Sequence, residues 1–71
     1  MATFLKHMNH DAYIKATKTW QFDSLKHVIQ DCHEAIEAYP ENPNCGYYWD
    51  EIHYCSMELA RRAKLGIINP Q

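Results

Sequence analysis

Apolar positions along this chain fall into two stripes of helical spacing, separated by one polar interruption. Leu25, Val28, Ile29, Cys32, Ile36 and Tyr39 form the first stripe, the segment PENPNCG at 40–46 breaks it, and Tyr48, Ile52, Cys55, Leu59 and Ala63 resume it. Recurrence at i, i+3, i+4 and i+7 marks one face of an amphipathic helix. Folding the chain at the interruption sets Ile36 against Ile52, Cys32 against Cys55, Val28 and Ile29 against Leu59, and Leu25 against Ala63. Two stripes in such register predict an all-α fold built on an antiparallel helical hairpin, with helices at about 23–39 and 46–65.

Local punctuation agrees with those boundaries. Asp23 is the expected N-cap of the first helix, with Phe22 before it to pack on the opening turn. Pro40 disfavours helix for the residue before it and closes the first helix. The second helix is expected to begin near Gly46, with Asp50 and Glu51 in its early turns and Arg61, Arg62 and Lys64 in its last, as the helix dipole favours at each end. Gly66 is the expected stop, which leaves 66–71 as a tail.

The first 22 residues are less regular. Phe4, Leu5, Met8, Ala12 and Ala16 keep a helical period that can run to Trp20. Alternatively, the run breaks at Asn9-His10-Asp11, with Asp11 capping a second short helix. A third helical element has something to cover, because Tyr47, Tyr54 and Met57, extended by the stem of Arg61, form a second semi-apolar stripe beside the main seam. That stripe packs under the N-terminal segment of its own chain, or under a second copy or a partner. Either way, 1–71 reads as one small helical domain.

Composition sharpens the picture. A 71-residue chain has room for only a small core, and chains of this size commonly rely on a staple, a metal or a partner. No apolar run approaches the roughly 20 residues of a membrane span, and the opening lacks the pattern of a secretion signal, so a cytoplasmic location is expected. Three cysteines fit a reducing compartment better than a disulfide framework. The formal net charge of −2 hides a segregation. Residues 27–60 hold Asp31, Glu34, Glu37, Glu41, Asp50, Glu51 and Glu58 without one Lys or Arg. An acidic body with basic ends argues against nucleic acid as the main partner and is compatible with a basic protein.

Several constellations have residue types suited to chemistry. Cys32 and Cys55 face each other in the hairpin, either as a disulfide or as two buried thiols acting as small hydrophobes. Cys45 sits in the turn, with no nearby cation in sequence to lower its pKa. Five histidines raise the possibility of a metal site. Asp50-x-x-His53 has the spacing of carboxylate–histidine pairs in di-iron bundles, and His33 lies on the opposite helix. However, Glu34 or Glu37 would join such a set only if the helices rotated out of the apolar register, and no short-spaced cysteine pair is present. With two glycines, no phosphate-binding loop and little interior for a pocket, no catalytic residue and no cofactor is expected. Two surfaces remain as protein-binding candidates. One is aromatic, with Tyr47, Trp49, Tyr54, Met57 and Arg61. The other is the acidic stripe Asp31, Glu34, Glu37 and Glu41, which Glu51 and Glu58 extend on the second helix.

Two resemblances follow from these residues. Ala35, Pro40, Asn42, Pro43, Tyr47 and Tyr48 make the hairpin resemble the junction of two tetratricopeptide repeats, although Asp50 stands near the family's glycine and one hairpin is no array. The segments DCHEAIEA at 31–38, PENP at 40–43 and GYYWDEIHYCSMELARR at 46–62 resemble small uncharacterised proteins of tailed bacteriophages. That likeness implies a protein of the infected bacterial cytoplasm that binds a host or phage protein and modulates or inhibits it. It carries no site residues with it. The combined expectation is a small non-enzymatic protein-binding module, with homodimerisation an option. The alternatives are a metal-binding helical bundle using His, Asp and Cys, and an acidic nucleic-acid mimic.

Overall fold

The computed structural model describes residues 9–70. It is all-α, with α1 at His10–Thr17, α2 at Phe22–Ala38 and α3 at Cys45–Leu65. Among the described residues there is no strand. The long helices α2 and α3 form the antiparallel hairpin, and α1 packs on the other flank of α3, so α3 is the central element. The second stripe of α3 is therefore covered in part by the chain's own N-terminal segment, Met57 staying 47% exposed. Phe4, Leu5 and Met8 lie outside the described residues.

The seam follows the apolar register in its middle. Leu25 and Cys32 of α2 and Cys55 of α3 are buried, while Val28, Ile29, Ile36, Tyr48, Ile52 and Leu59 are half-buried. All three cysteines are free thiols. Two seam positions depart from expectation. Tyr39 is 55% exposed, because α2 ends at Ala38 and Tyr39, held before Pro40, adopts φ −150 and ψ 78, which swings its side chain off the stripe. Ala63 is exposed as well. Since α3 must face two helices, its buried arc runs through Cys55, Glu58 and Arg62, and Ala63 turns past the seam to solvent.

The caps also differ from the expected ones. Asn9, not Asp11, caps α1, its Oδ1 accepting the Ala12 N–H at 3.0 Å. Asp23 lies inside the first turn of α2, and the boundary residue Gln21 makes no side-chain cap. The Phe22 N–H instead donates to Oδ1 of Asn69 at 2.6 Å. The tail thus supplies the missing cap from across the molecule, satisfying a donor that the first turn of a helix leaves open. In the turn, Asn42 Oδ1 accepts the Asn44 N–H at 2.8 Å, an Asx arrangement suited to a tight reversal. Gly66 ends α3 as expected, in the left-handed region at φ 75. There the Ile67 N–H reaches back to the Arg62 carbonyl at 2.9 Å.

Candidate functional site

The fold sorts the charged residues that the sequence leaves on one surface. Glu58, expected among the exposed acids, is only 4% exposed. Its Oε2 accepts from Arg62 Nε at 2.7 Å and from Arg61 Nη2 at 2.8 Å, and its Oε1 accepts from Arg61 Nε at 2.9 Å. The hydrogen bonds from Arg61, with those from Arg62, hold the Glu58 carboxyl below the usual carboxylate range against the opposing effect of burial. Glu51 is half-buried and accepts the Tyr13 hydroxyl at 2.8 Å. Burial and that bond keep the Tyr13 phenol protonated far above its ordinary value. Glu51 and Glu58 are therefore corrected from surface charge to interior structure.

Arg62 is the residue that sequence reasoning missed. It is 1% exposed. Its Nη2 donates to the carbonyls of Thr17 at 3.0 Å, Lys18 at 3.3 Å and Trp20 at 2.6 Å, and its Nη1 donates to that of Ile68 at 2.9 Å. A guanidinium fork placed on the last carbonyls of α1 opposes the negative end of its dipole and fills acceptors that the helix leaves open. One side chain thereby ties α1, α3 and the tail together. An eight-residue helix such as α1 is too short to persist alone in water. The only signal in the sequence was two arginines at i+3 and i+4 from Glu58, a pattern equally common on solvated helix faces.

The aromatic candidates separate into two groups. Tyr54 donates to or accepts from His10 Nδ1 at 2.6 Å and packs at 6.0 Å from the Tyr13 ring. Tyr13 in turn meets Trp20 edge-on at 5.5 Å. Tyr47 is half-buried beside Tyr48, and burial raises its phenol pKa. Met57, 47% exposed, and Arg61 line a cleft of about 220 Å³ between α1 and α3, with Ile14, Lys18 and Tyr54. This face is mainly the packing surface for α1. Trp49 stands apart from it. It is 51% exposed and meets the His33 ring edge-on at 5.6 Å, across the hairpin from α1.

The acidic stripe stays together. Asp31, Glu34, Glu37 and Glu41 are all exposed on α2 and the turn that follows it. Asp31 Oδ2 lies 3.1 Å from His27 Nε2, and Glu34 accepts from the Gln30 amide at 3.0 Å. Tyr39, exposed between Glu37 and Glu41 in sequence, adds an aromatic ring to this acidic end. Beside the stripe, an open groove of about 480 Å³ runs between α2 and α3, lined by Lys26, Ile29, Gln30, His33, Glu34 and Leu59.

The candidate metal ligands Asp50, His53 and His33 are not brought together. His53 is exposed and packs at 5.4 Å from the Tyr54 ring, while His33 is occupied with Trp49. Among the described residues, no group of three or more His, Cys, Asp or Glu is gathered where it could hold a metal ion. Cys32, pushed up to about 11 chiefly by burial, and Cys55, also raised chiefly by burial, are protonated thiols inside the seam. Cys45, expected in the turn, is instead the half-buried first residue of α3, its Sγ 3.5 Å from the Pro40 carbonyl. Among the described residues, no helix is long and apolar enough to cross a membrane. No family model, no curated protein and no solved structure matches this chain.

Proposed function

We propose that this chain is a non-catalytic protein-binding module that docks a basic partner on the outer acidic face of α2 and the adjoining turn. The observation that carries the reading is the sorting of carboxylates. Glu51 and Glu58 are engaged inside, whereas Asp31, Glu34, Glu37 and Glu41 remain exposed around an exposed Tyr39, with no Lys or Arg between residues 27 and 60. A one-signed surface of this kind steers encounter with an oppositely charged partner. An aromatic ring within it supplies the kind of contact that dominates interface energies. The resemblance to small tailed-phage proteins supports a site of action in the cytoplasm of an infected bacterium, where binding would modulate or inhibit a host or phage protein.

The test is capture from bacterial lysate, with and without phage infection, on the immobilised full chain. Asp31→Lys with Glu41→Lys is expected to slow association at low salt, and the difference is expected to shrink as salt screens it. Tyr39→Ala is expected to speed dissociation and leave association nearly unchanged. All three positions are exposed, so circular dichroism should show each variant folded. The reading is overturned if wild type recovers no specific protein, or if the folded variants capture the same protein equally well.

A further inference from the structure

The charges of the described chain divide by end. Arg62 on the carbonyls of Thr17, Lys18, Trp20 and Ile68, and Asn69 on the Phe22 N–H, gather the close of α1, the start of α2 and the close of α3. All six described Lys and Arg lie at this end or within little more than one turn of it: Lys15, Lys18, Lys26, Arg61, Arg62 and Lys64. Two acids share the end. Glu58 is buried and held by Arg61 and Arg62, and Asp23 is exposed in the first turn of α2. Six cations against two anions leave an excess of four positive charges. Asp11 sits at the other end of α1, where His10 meets Tyr54 midway along α3. The remaining acids run from Asp31, in the middle of the hairpin, toward the turn. The 21 residues of α3 rise about 31 Å, whereas physiological salt screens charges beyond about 8 Å. The acidic turn therefore does not cancel the basic end.

Exposed apolar side chains divide in the same way. The aromatic ones, Tyr39 and Trp49, stand toward the turn, whereas the aliphatic Leu65 and Ile68, 58% and 62% exposed, belong to the lysine-rich end. These features select among anions. Both arginines, whose forks read phosphates and bases, are engaged by Glu58, and Arg62 by carbonyls as well. The free cations are therefore lysines, point charges without a preferred geometry. No large aromatic ring is exposed at this end for a base to stack on. Lysines around exposed aliphatic side chains match a surface that is diffusely anionic outside and apolar just beneath.

We propose that this end docks on an anionic lipid surface. Leu65 and Ile68 enter the boundary between headgroups and acyl chains, and Lys15, Lys18, Lys26 and Lys64 lie among the anionic headgroups. The same surface repels the carboxylates of the turn, so the chain stands on it end-on, with Glu37, Tyr39 and Glu41 toward solution. Contact of this kind lies on a membrane and needs no helix that crosses one. None of the residues of the acidic docking face takes part in it.

Co-sedimentation of the full chain with phosphatidylcholine vesicles, with and without phosphatidylserine, tests this. Wild type is expected to bind the anionic vesicles and not the neutral ones, and to bind less as salt rises. A lysine near such a surface is worth about fivefold in binding, so Lys18→Gln with Lys64→Gln is expected to weaken it about twenty-fivefold. Leu65→Ser with Ile68→Ser is expected to weaken binding at every salt concentration and leave its salt dependence unchanged. All four positions are exposed, and circular dichroism checks that each variant stays folded. The proposal is overturned if the anionic vesicles bind no protein, if the neutral ones bind equally, or if the lysine variant binds undiminished. Indifference to the Leu65 and Ile68 variant also overturns it, as does release from the vesicles by a short DNA duplex at equal phosphate concentration, since the end then answers to charge alone. None of these outcomes depends on the capture experiment, which uses Asp31, Glu41 and Tyr39.

Discussion

Arg62→Met removes the guanidinium fork and keeps most of the stem, so it isolates the polar role of the most buried charged side chain. In the wild type, that fork binds Glu58 and the carbonyls of Thr17, Lys18, Trp20 and Ile68 at 2.6–3.3 Å, at 1% exposure. Its removal leaves a buried carboxylate with Arg61 as its remaining ion-pair partner, and deprives the α1 C-terminus and the tail of their shared donor. Breaking a buried ion pair from one side costs about 3–5 kcal/mol. The core of so small a domain supplies only about 3–5 kcal/mol, so the variant is expected to be largely unfolded at room temperature. Urea denaturation followed by circular dichroism measures this directly. Arg61→Met is the sequence-adjacent control. It touches the same carboxylate from a side chain that is 40% exposed, and only a small change is expected. Glu58→Gln combined with Arg62→Met should recover part of the loss, because the unpaired charge is gone, but not all of it, because the carbonyls remain without their donor. The reasoning is refuted if Arg62→Met destabilises no more than Arg61→Met, or if the double variant returns fully to wild type.

Two further outcomes follow from the interior and the caps. The Glu58 carboxyl is held low by Arg61 and Arg62, so its contribution to stability is complete above the unfolded carboxylate value of about 4.3 and is lost as pH falls through the depressed folded value. Urea midpoints should accordingly drop more steeply below about pH 4.3 in wild type than in Glu58→Gln, and parallel curves would rule this out. Asn69→Ala removes the side-chain acceptor on the Phe22 N–H and is expected to cost about 0.5–2 kcal/mol by thermal melting, as loss of an N-cap does. Asp23→Ala should cost less, and the reverse ranking would show that the tail does not cap α2.

The hairpin was legible because its information is local and periodic. Apolar residues at helical spacing, a proline at 40 and a glycine at 66 each act through backbone sterics and burial over a few residues, and α2 and α3 fall where these signals put them. The free thiols Cys32 and Cys55 occupy the buried seam for the same reason. The acidic stripe was legible too, since consecutive exposed turns of α2 preserve the sequence spacing of Asp31, Glu34, Glu37 and Glu41.

What local pattern could not assign was which of two similar residues turns inward. Arg61 and Arg62 are neighbours with the same chemistry, and Glu58 lies within reach of both. Arg62 alone points between α3 and the carbonyl end of α1, and this depends on the position of a helix more than forty residues earlier in the chain. In the same way, Asn69 caps α2 from the far end of the sequence, and Tyr13 claims Glu51 from α1. A surface charge and a buried one are identical in sequence until the fold removes water from one of them. The cost of removing it is met here by acceptors drawn from distant segments. The sequence by itself determined α2 and α3, their antiparallel pairing and the outer acidic face. Only the tertiary structure decided that α3 would be the central helix, that Arg62 would join three elements through one side chain, and that Trp49 would stand by the α2–α3 groove, apart from the other aromatic candidates. These are long-range contacts, and no spacing along the chain encodes them.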